Sequence, residues 1–217
     1  MKICELTVLS DDLNGTKKFY SDTLGFPLLL NNAQQLTFQA GASRLHFRKS
    51  DKEKPVYHFA FNIHSNQISQ AMEWIQGKAE LIVSDSGPMV DFKNWQAQSV
   101  YFWDNNGNIL EFIARAGLNL ESDYPFDTTQ VLSISEMGFP VKNVPNYLKK
   151  VQSDFNLNIF ERQIPSDDFA ALGDDNGLLI LVREGRPWFL TTKEAKKHWS
   201  KIQFEQNDIL FEWVLND

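Results

Sequence analysis

The feature that most constrains this fold is an internal repeat, in which a short alternating strand is followed by an amphipathic helix. The strands of the three copies lie at residues 5–9, 58–63 and 136–141, and the helical segments follow at 13–24, 68–75 and 144–155. A unit of this kind cannot bury its apolar face alone. The copies are therefore expected to pack against one another.

Each copy closes with a second recurring pattern, a glycine turn that leads into an extended run. These runs lie at residues 41–48, 106–113 and 176–182. A fourth copy is degenerate: residues 192–202 predict a helix, residues 208–213 predict a strand, and no opening strand is apparent. The pattern predicts an α+β fold of paired βαβββ modules that form curved, barrel-like mixed sheets, with a degenerate second pair.

A change in composition suggests where the chain divides. Residues 118–130 are rich in polar side chains and contain Pro125, which is typical of a linker. We expect residues 1–117 to form one domain from the first two copies. Residues 131–217 are then a degenerate second domain with the third copy and part of a fourth.

The charge and the apolar pattern exclude two classes of partner. The net charge is −7 and no basic stripe is visible, which argues against binding of nucleic acid. The basic cluster at residues 193–201 is expected to be the solvated face of a helix. No apolar run approaches the ~20 residues of a membrane span, and no signal peptide is recognisable. The single cysteine, Cys4, is expected to be a buried small apolar residue, and a cytoplasmic location follows.

Strand alternation places four candidate ligands on equivalent faces. Glu5 and His58 occupy the same position in the first two opening strands, while His46 and Glu111 lie in the corresponding closing strands. If the two copies pack with pseudo-twofold symmetry, these side chains converge on one point. Two imidazoles and two carboxylates suit a divalent ion such as Fe, Mn, Zn or Ni.

Each of these residues also has a simpler interpretation. His58 is either a ligand or a hydrogen-bonded core histidine, and Glu5 is either a ligand or the partner of a neighbouring Lys or Arg. An exposed edge strand explains His46 as well as ligation does. Glu111 is the strongest candidate, because a carboxylate in an apolar strand is costly unless it is paired or bound to a metal.

The third copy offers an incomplete second set. Glu136 repeats the position of Glu5, but its closing-strand counterpart is Leu181, and Glu212 is a weak substitute. Trp103 and Trp188 are expected to form walls of a pocket. Residues 186–189, Arg-Pro-Trp-Phe, predict a turn with exposed aromatic side chains that suits an interface or a lid.

Two motifs resemble a known superfamily. They are the segments Asp11-Asp12-Leu13, Lys18-Phe19-Tyr20 and Leu24-Gly25-Phe26 near the start, and the run from Tyr101 to Glu111. Together they are similar to the opening and closing motifs of the vicinal oxygen chelate proteins, which include glyoxalase I, bleomycin-resistance proteins and extradiol ring-cleavage dioxygenases. The resemblance implies metal ligands in the opening and closing strands, at Glu5, His46, His58 and Glu111. The ring-cleaving members have His where this chain has Glu5, whereas glyoxalase-like members accept Glu or Gln there.

The residues and the resemblance lead to two hypotheses about function. The first is a divalent-metal-dependent enzyme, an isomerase or lyase or a ring-cleaving oxygenase, that acts on a small oxygenated substrate. Glu111 and Glu5 are its candidate catalytic groups, because a carboxylate displaced by substrate can serve as general base. The alternative is a metal-free protein that binds or sequesters a small molecule, such as a cation attracted by an acidic concave face. A purely structural protein predicts no closed pocket. A small-molecule partner is expected, with neither nucleic acid nor membrane, and a homodimer is left open.

Overall fold

A computed structural model describes residues 1–51 and 54–216 of the chain. The strands are β1 (Lys2–Ser10), β2 (Leu28–Asn31), β3 (Gln35–Ala40), β4 (Ser43–Lys49), β5 (His58–Ile63), β6 (Leu81–Ile82), β7 (Met89–Phe92), β8 (Ala97–Trp103), β9 (Ile109–Arg115), β10 (Val131–Val141), β11 (Phe169–Asp174), β12 (Gly177–Arg183), β13 (Ser200–Gln206) and β14 (Ile209–Leu215). The α-helices are α1 (Leu13–Lys17), α2 (Ile68–Gln76) and α3 (Val144–Phe155), and a π-helix over Lys18–Thr23 continues α1. The α+β class and the strand–helix copies are confirmed.

The strands form two curved mixed sheets. One sheet has six strands in the order β14-β13-β1-β4-β3-β2, and the other has eight in the order β11-β12-β10-β5-β9-β8-β6, with β7 paired to β8. Within a copy, the opening and closing strands are parallel neighbours, as in β1 with β4 and β5 with β9. At the centre of each sheet, the opening strand of one of the first two copies pairs antiparallel with a strand from the C-terminal half, as β5 with β10 and β1 with β13.

The copies pair differently from the expected arrangement. The first copy joins the two C-terminal strands and the second copy joins the third, so the first two copies do not share a sheet. Strands from both sides of residues 118–130 are hydrogen-bonded to each other in both sheets. The bounds 1–117, 118–130 and 131–217 stay a prediction. Alternation shows which face of a strand is buried, but it does not show which distant strand lies at its free edge.

The predicted helix over residues 192–202 is wrong. Strand β13 begins at Ser200, and Ile202 and Phe204 are buried at a spacing of two, as a strand requires. The basic cluster is therefore no helix face. Lys193 lies 4.9 Å from the centre of the Trp103 ring, and Lys201 pairs with Glu212 at 3.1 Å. Strand β14 confirms the strand predicted over residues 208–213.

One apolar core lies on the helix-covered faces of both sheets. Leu6 and Val8 from the first sheet and Phe59 and Phe61 from the second belong to it, together with apolar residues of the helices. Cys4 does not, which corrects the expectation that it is buried. An irregularity between Ile3 and Glu5 shifts the alternation, so Ile3 is buried and Cys4 is partly exposed.

The helices are short. The longest helix among the described residues, α3, has 12 residues, and none of the described helices is long and apolar enough to cross a membrane.

A chain that ends at residue 117 is expected to lose its folded structure. Strand β1 would then lack β13 and β5 would lack β10, which exposes the free edges of two central, apolar strands. Circular dichroism and amide hydrogen exchange measure the loss. Production of residues 118–217 as a second chain in the same cells should restore protection, and a folded monomer of residues 1–117 alone would contradict the pairing.

Candidate functional site

A cavity lies on the face of the eight-stranded sheet that the helices leave uncovered. Its volume is about 230 Å³. Its walls are mainly apolar and aromatic, and its polar lining includes one histidine, two glutamates, one arginine and one tyrosine hydroxyl. The lining residues are His58, Phe92, Trp95, Tyr101, Ile109, Glu111, Ile113, Glu136, Phe169, Ile180, Val182, Arg186, Trp188 and Phe189.

Three of these residues form a compact, buried cluster. His58, Glu111 and Glu136 each offer one ligand atom, and these atoms lie within 4.8 Å of one another. The register of three adjacent strands brings the carboxylates together, because Ala60 of β5 pairs with Glu111 of β9 on one side and with Glu136 of β10 on the other. The small side chain of Ala60 leaves the space above it to the two carboxylates.

The imidazole of His58 is held in one tautomer. Its Nδ1 lies 3.1 Å from the carbonyl oxygen of Ile109, and a carbonyl only accepts, so Nδ1 carries the proton. The Nε2 lone pair faces the cluster, 3.6 Å from Oε2 of Glu111. Burial lowers the pKa of His58 and so favours the neutral ring, whereas the negative charge of Glu136 has a smaller effect in the opposite direction. Metal-binding histidines commonly show this arrangement, with the second nitrogen bonded to a carbonyl.

Glu111 is an unusual carboxyl group in this cluster. Burial, and then the negative charge of Glu136, raise its pKa to about 8. Ser99, Arg115 and Tyr101 act in the opposite direction. Burial and the same two carboxylates raise the pKa of Tyr101 well above its ordinary value, so its hydroxyl stays a donor to Glu111. With a pKa of about 8, the Glu111 carboxyl is therefore mostly protonated at neutral pH in the metal-free protein.

Glu136 has a different partner. Arg115 is completely buried at the end of β9 and donates a hydrogen bond to Oε1 of Glu136. Its guanidinium also lies 3.9 Å from Asp175 and 5.8 Å from the ring centre of Trp95. An ion pair with little solvent contact needs such additional partners to offset its desolvation.

The donor set fits a divalent metal ion. One imidazole nitrogen and two carboxylate oxygens suit Fe, Mn or Zn, and the three protein ligands leave coordination positions for a ligand. Two observations of this structure support the fit: the fixed His58 tautomer, and a buried Glu111 whose pKa is raised by burial and by Glu136.

The structure does not bring the four predicted ligands to one point. His58 and Glu111 lie in the eight-stranded sheet, whereas Glu5 and His46 lie in the six-stranded sheet, because β1 and β5 never pair. Glu5 contacts His46 at 3.4 Å and Arg44 at 3.3 Å, which matches the simpler interpretation of Glu5. Any role of Glu5 as ligand or catalytic group, and of His46 as ligand, stays a prediction.

Next to Glu5 and His46, the six-stranded sheet carries a lysine where the eight-stranded sheet carries a third candidate ligand, Glu136. His46 pairs in register with Thr7, and Lys201 of β13 pairs with Thr7 from the other side. Lys201 therefore has the position in the first sheet that Glu136 has in the second. An ammonium group cannot bind a metal ion, so Lys201 does not add a third ligand to this pair.

The sequence pattern assigns Glu136 to an incomplete second site and does not indicate a role for Arg115. Glu136 was expected to lack half of its ligands, since its closing strand offers Leu181. The structure supplies those partners from the second copy. The available signal was the even spacing of Glu111 and Arg115, which places both on one face of an apolar strand.

The aromatic walls match the expectation in part. Trp188 lines the cavity as predicted, and its ring centre lies 5.6 Å from that of His58. Gly138 provides the necessary space, because a Cβ atom there would lie 2.6 Å from the Trp188 ring. Trp103 is not among the residues that line this cavity. Glu212 lies on β14 in the other sheet, so it does not supply the ligand that the closing strand of the third copy lacks.

Comparison with known proteins gives the fold. No family model and no curated protein sequence matches the chain. A candidate dioxygenase from Bacillus subtilis is similar over 99% of this chain and 84% of its own, with a TM-score of 0.63 and 13% identity.

Two further solved structures match about half of the chain. An integron cassette protein from the Halifax Harbour sewage metagenome is 28% identical over 52% of this chain and 97% of its own, with a TM-score of 0.46. Lactoylglutathione lyase from Agrobacterium tumefaciens is 21% identical over 52% and 90%, with a TM-score of 0.43. The match over 99% of the chain shows that this chain has the fold of the candidate dioxygenase, one of the protein classes in the superfamily that the sequence resembles.

Proposed function

We propose that the chain is a divalent-metal-dependent enzyme that acts on a small oxygenated substrate, with His58, Glu111 and Glu136 as metal ligands. The observation that carries the proposal is the spacing of these three buried groups, whose ligand atoms lie within 4.8 Å of one another in the cavity. When bound, the ion supplies Lewis acidity, because it polarises an oxygen of the substrate. Mn, Fe and Zn are the metals that this donor set favours.

The residues around the cluster suit proton transfer. Glu111, with a pKa of about 8, can hold or release a proton at its carboxylate near neutral pH. Tyr101 donates to it and fixes its orientation. The aromatic walls limit the access of water, which strengthens electrostatic interactions in the cavity. Two carboxylates and one imidazole favour isomerase or lyase chemistry over ring-cleaving oxygenation.

One observation favours the alternative of a metal-free binding protein. Arg115 already neutralises Glu136, and a protonated Glu111 leaves the cluster without net charge. The cavity would then be an aromatic pocket with a hydrogen-bonding floor. Metal titration separates the two functions.

Metal-stripped protein is expected to bind one Mn²⁺ per chain. His58→Ala and Glu111→Ala each remove a ligand and should weaken binding at least tenfold, which isothermal titration calorimetry measures. Glu5→Ala and His46→Ala are matched controls that remove the same residue types in the other sheet and should leave binding unchanged. Equal losses in both pairs, or no binding by the unchanged protein, would contradict the proposed centre.

The metal-free protein should become less stable as pH rises from about 5 to 8. Folded Glu111 keeps its proton up to a pKa of about 8, while the unfolded chain releases it above the ordinary value of 4.5. The unfolded state thus binds fewer protons in this range, and Glu111 lowers the free energy of unfolding by up to about 1.4 kcal/mol per pH unit. The loss levels off above pH 8.

Urea unfolding at several pH values measures this slope. Glu111→Gln replaces the protonated acid by an uncharged amide of the same shape, so its contribution should disappear from the pH profile. Identical profiles for the two proteins would show that Glu111 ionises normally.

A further inference from the structure

Arg186 is the single basic side chain that lines the cavity within the described residues. It lies in the loop between β12 and β13, together with Trp188 and Phe189. Its side chain is 35% exposed, whereas those of His58 and Glu111 are 11% and 2% exposed. The cavity therefore has a buried acidic floor and a cation on its solvent side.

The guanidinium of Arg186 retains unused binding capacity. It lies 5.2 Å from the ring centre of Phe169, and its Nε forms a partly exposed ion pair with Oδ2 of Asp168 at 3.5 Å, which is longer than a charge-assisted hydrogen bond. Its side chain makes no hydrogen bond to any residue of the described ranges 1–51 and 54–216. A guanidinium has five N–H donors in a planar fork that matches a carboxylate.

The cavity between the two charged ends suits a flat apolar body. Phe92, Trp95 and Tyr101 line it from the second copy, and Phe169 and Trp188 line it from the third copy and the loop that follows. Its volume of about 230 Å³ exceeds the ~150 Å³ of an engineered cavity that holds benzene. There is room for one substituted ring.

We propose that Arg186 determines specificity for an aromatic or similarly flat carboxylic acid, whose acid group pairs with the guanidinium while its ring lies between the aromatic walls. A carboxylate fits better than a phosphate, because Arg186 is the single Lys or Arg that lines the described cavity and Asp168 already offsets part of its charge. The inference deepens the proposed function, since it names the substrate class of the same cavity. Recognition by Arg186 does not require the metal.

The test is a fluorescence titration of metal-stripped protein, in which Trp95 and Trp188 report binding in the cavity. Benzoate and its neutral analogue benzamide are the probes. Benzoate is expected to bind about tenfold more tightly than benzamide, as one charge-assisted pair predicts. Arg186→Gln should abolish this preference and leave the affinity for benzamide unchanged.

Arg183→Gln is the matched control, because Arg183 is exposed, near Arg186 in sequence and outside the cavity lining. It removes the same net charge and should keep the preference for benzoate. Equal affinities of the two probes, absence of binding, or an equal loss in both variants would overturn the inference. Failure of the metal titration would leave this result unaffected, so the two proposals fail separately.

Discussion

The antiparallel pairing of β5 with β10 is the constraint on which the candidate site depends. It places Glu136 opposite Ala60, while the parallel pairing of β5 with β9 places Glu111 on the other side of the same residue. Neither carboxylate could reach the other from within its own copy. The third copy by itself has an incomplete set of candidate ligands. Its Glu136 instead joins His58 and Glu111 of the second copy. The fold can bury both carboxylates because Arg115 pairs with Glu136 and because Glu111 has a raised pKa and can remain protonated.

The two sheets have similar architecture, yet their open faces differ in chemistry. In the eight-stranded sheet, Glu136 and aromatic walls surround the pair of His58 and Glu111. In the six-stranded sheet, Lys201 lies beside the pair of Glu5 and His46, and the adjacent cavity is lined mostly by polar and charged side chains. The equivalent position thus carries a carboxylate in the eight-stranded sheet and an ammonium group in the six-stranded sheet, and only the carboxylate can add to a set of metal ligands. The eight-stranded sheet therefore carries the candidate metal centre, while the equivalent face of the six-stranded sheet carries ion pairs.

The sequence predicts the local elements of this fold well and their partners poorly. Alternation correctly places His58 and Glu111 toward the open face, and the helical periods of α2 and α3 agree with the structure. The convergence of His58 with Glu5 fails because period-two patterns specify a face and leave the neighbouring strand undetermined. The helix predicted over residues 192–202 overlaps the start of β13, because the charged residues before the strand obscure the alternation of Ile202 and Phe204. The role of Glu136 depends on a contact between copies, which no local pattern contains.

Charge balance links the proposed metal site to the proposed carboxylate ligand. Without a metal, protonated Glu111 and the pair of Glu136 with Arg115 make the cluster neutral. If His58, ionised Glu111 and Glu136 held a divalent ion, this buried region would carry one net positive charge, which is costly in an apolar cavity. An anionic substrate group beside these residues would restore neutrality, and Arg186 would hold the acid group at the open end. Under the proposed function, metal and substrate therefore stabilise each other's binding, and the coupling is reciprocal as linkage requires.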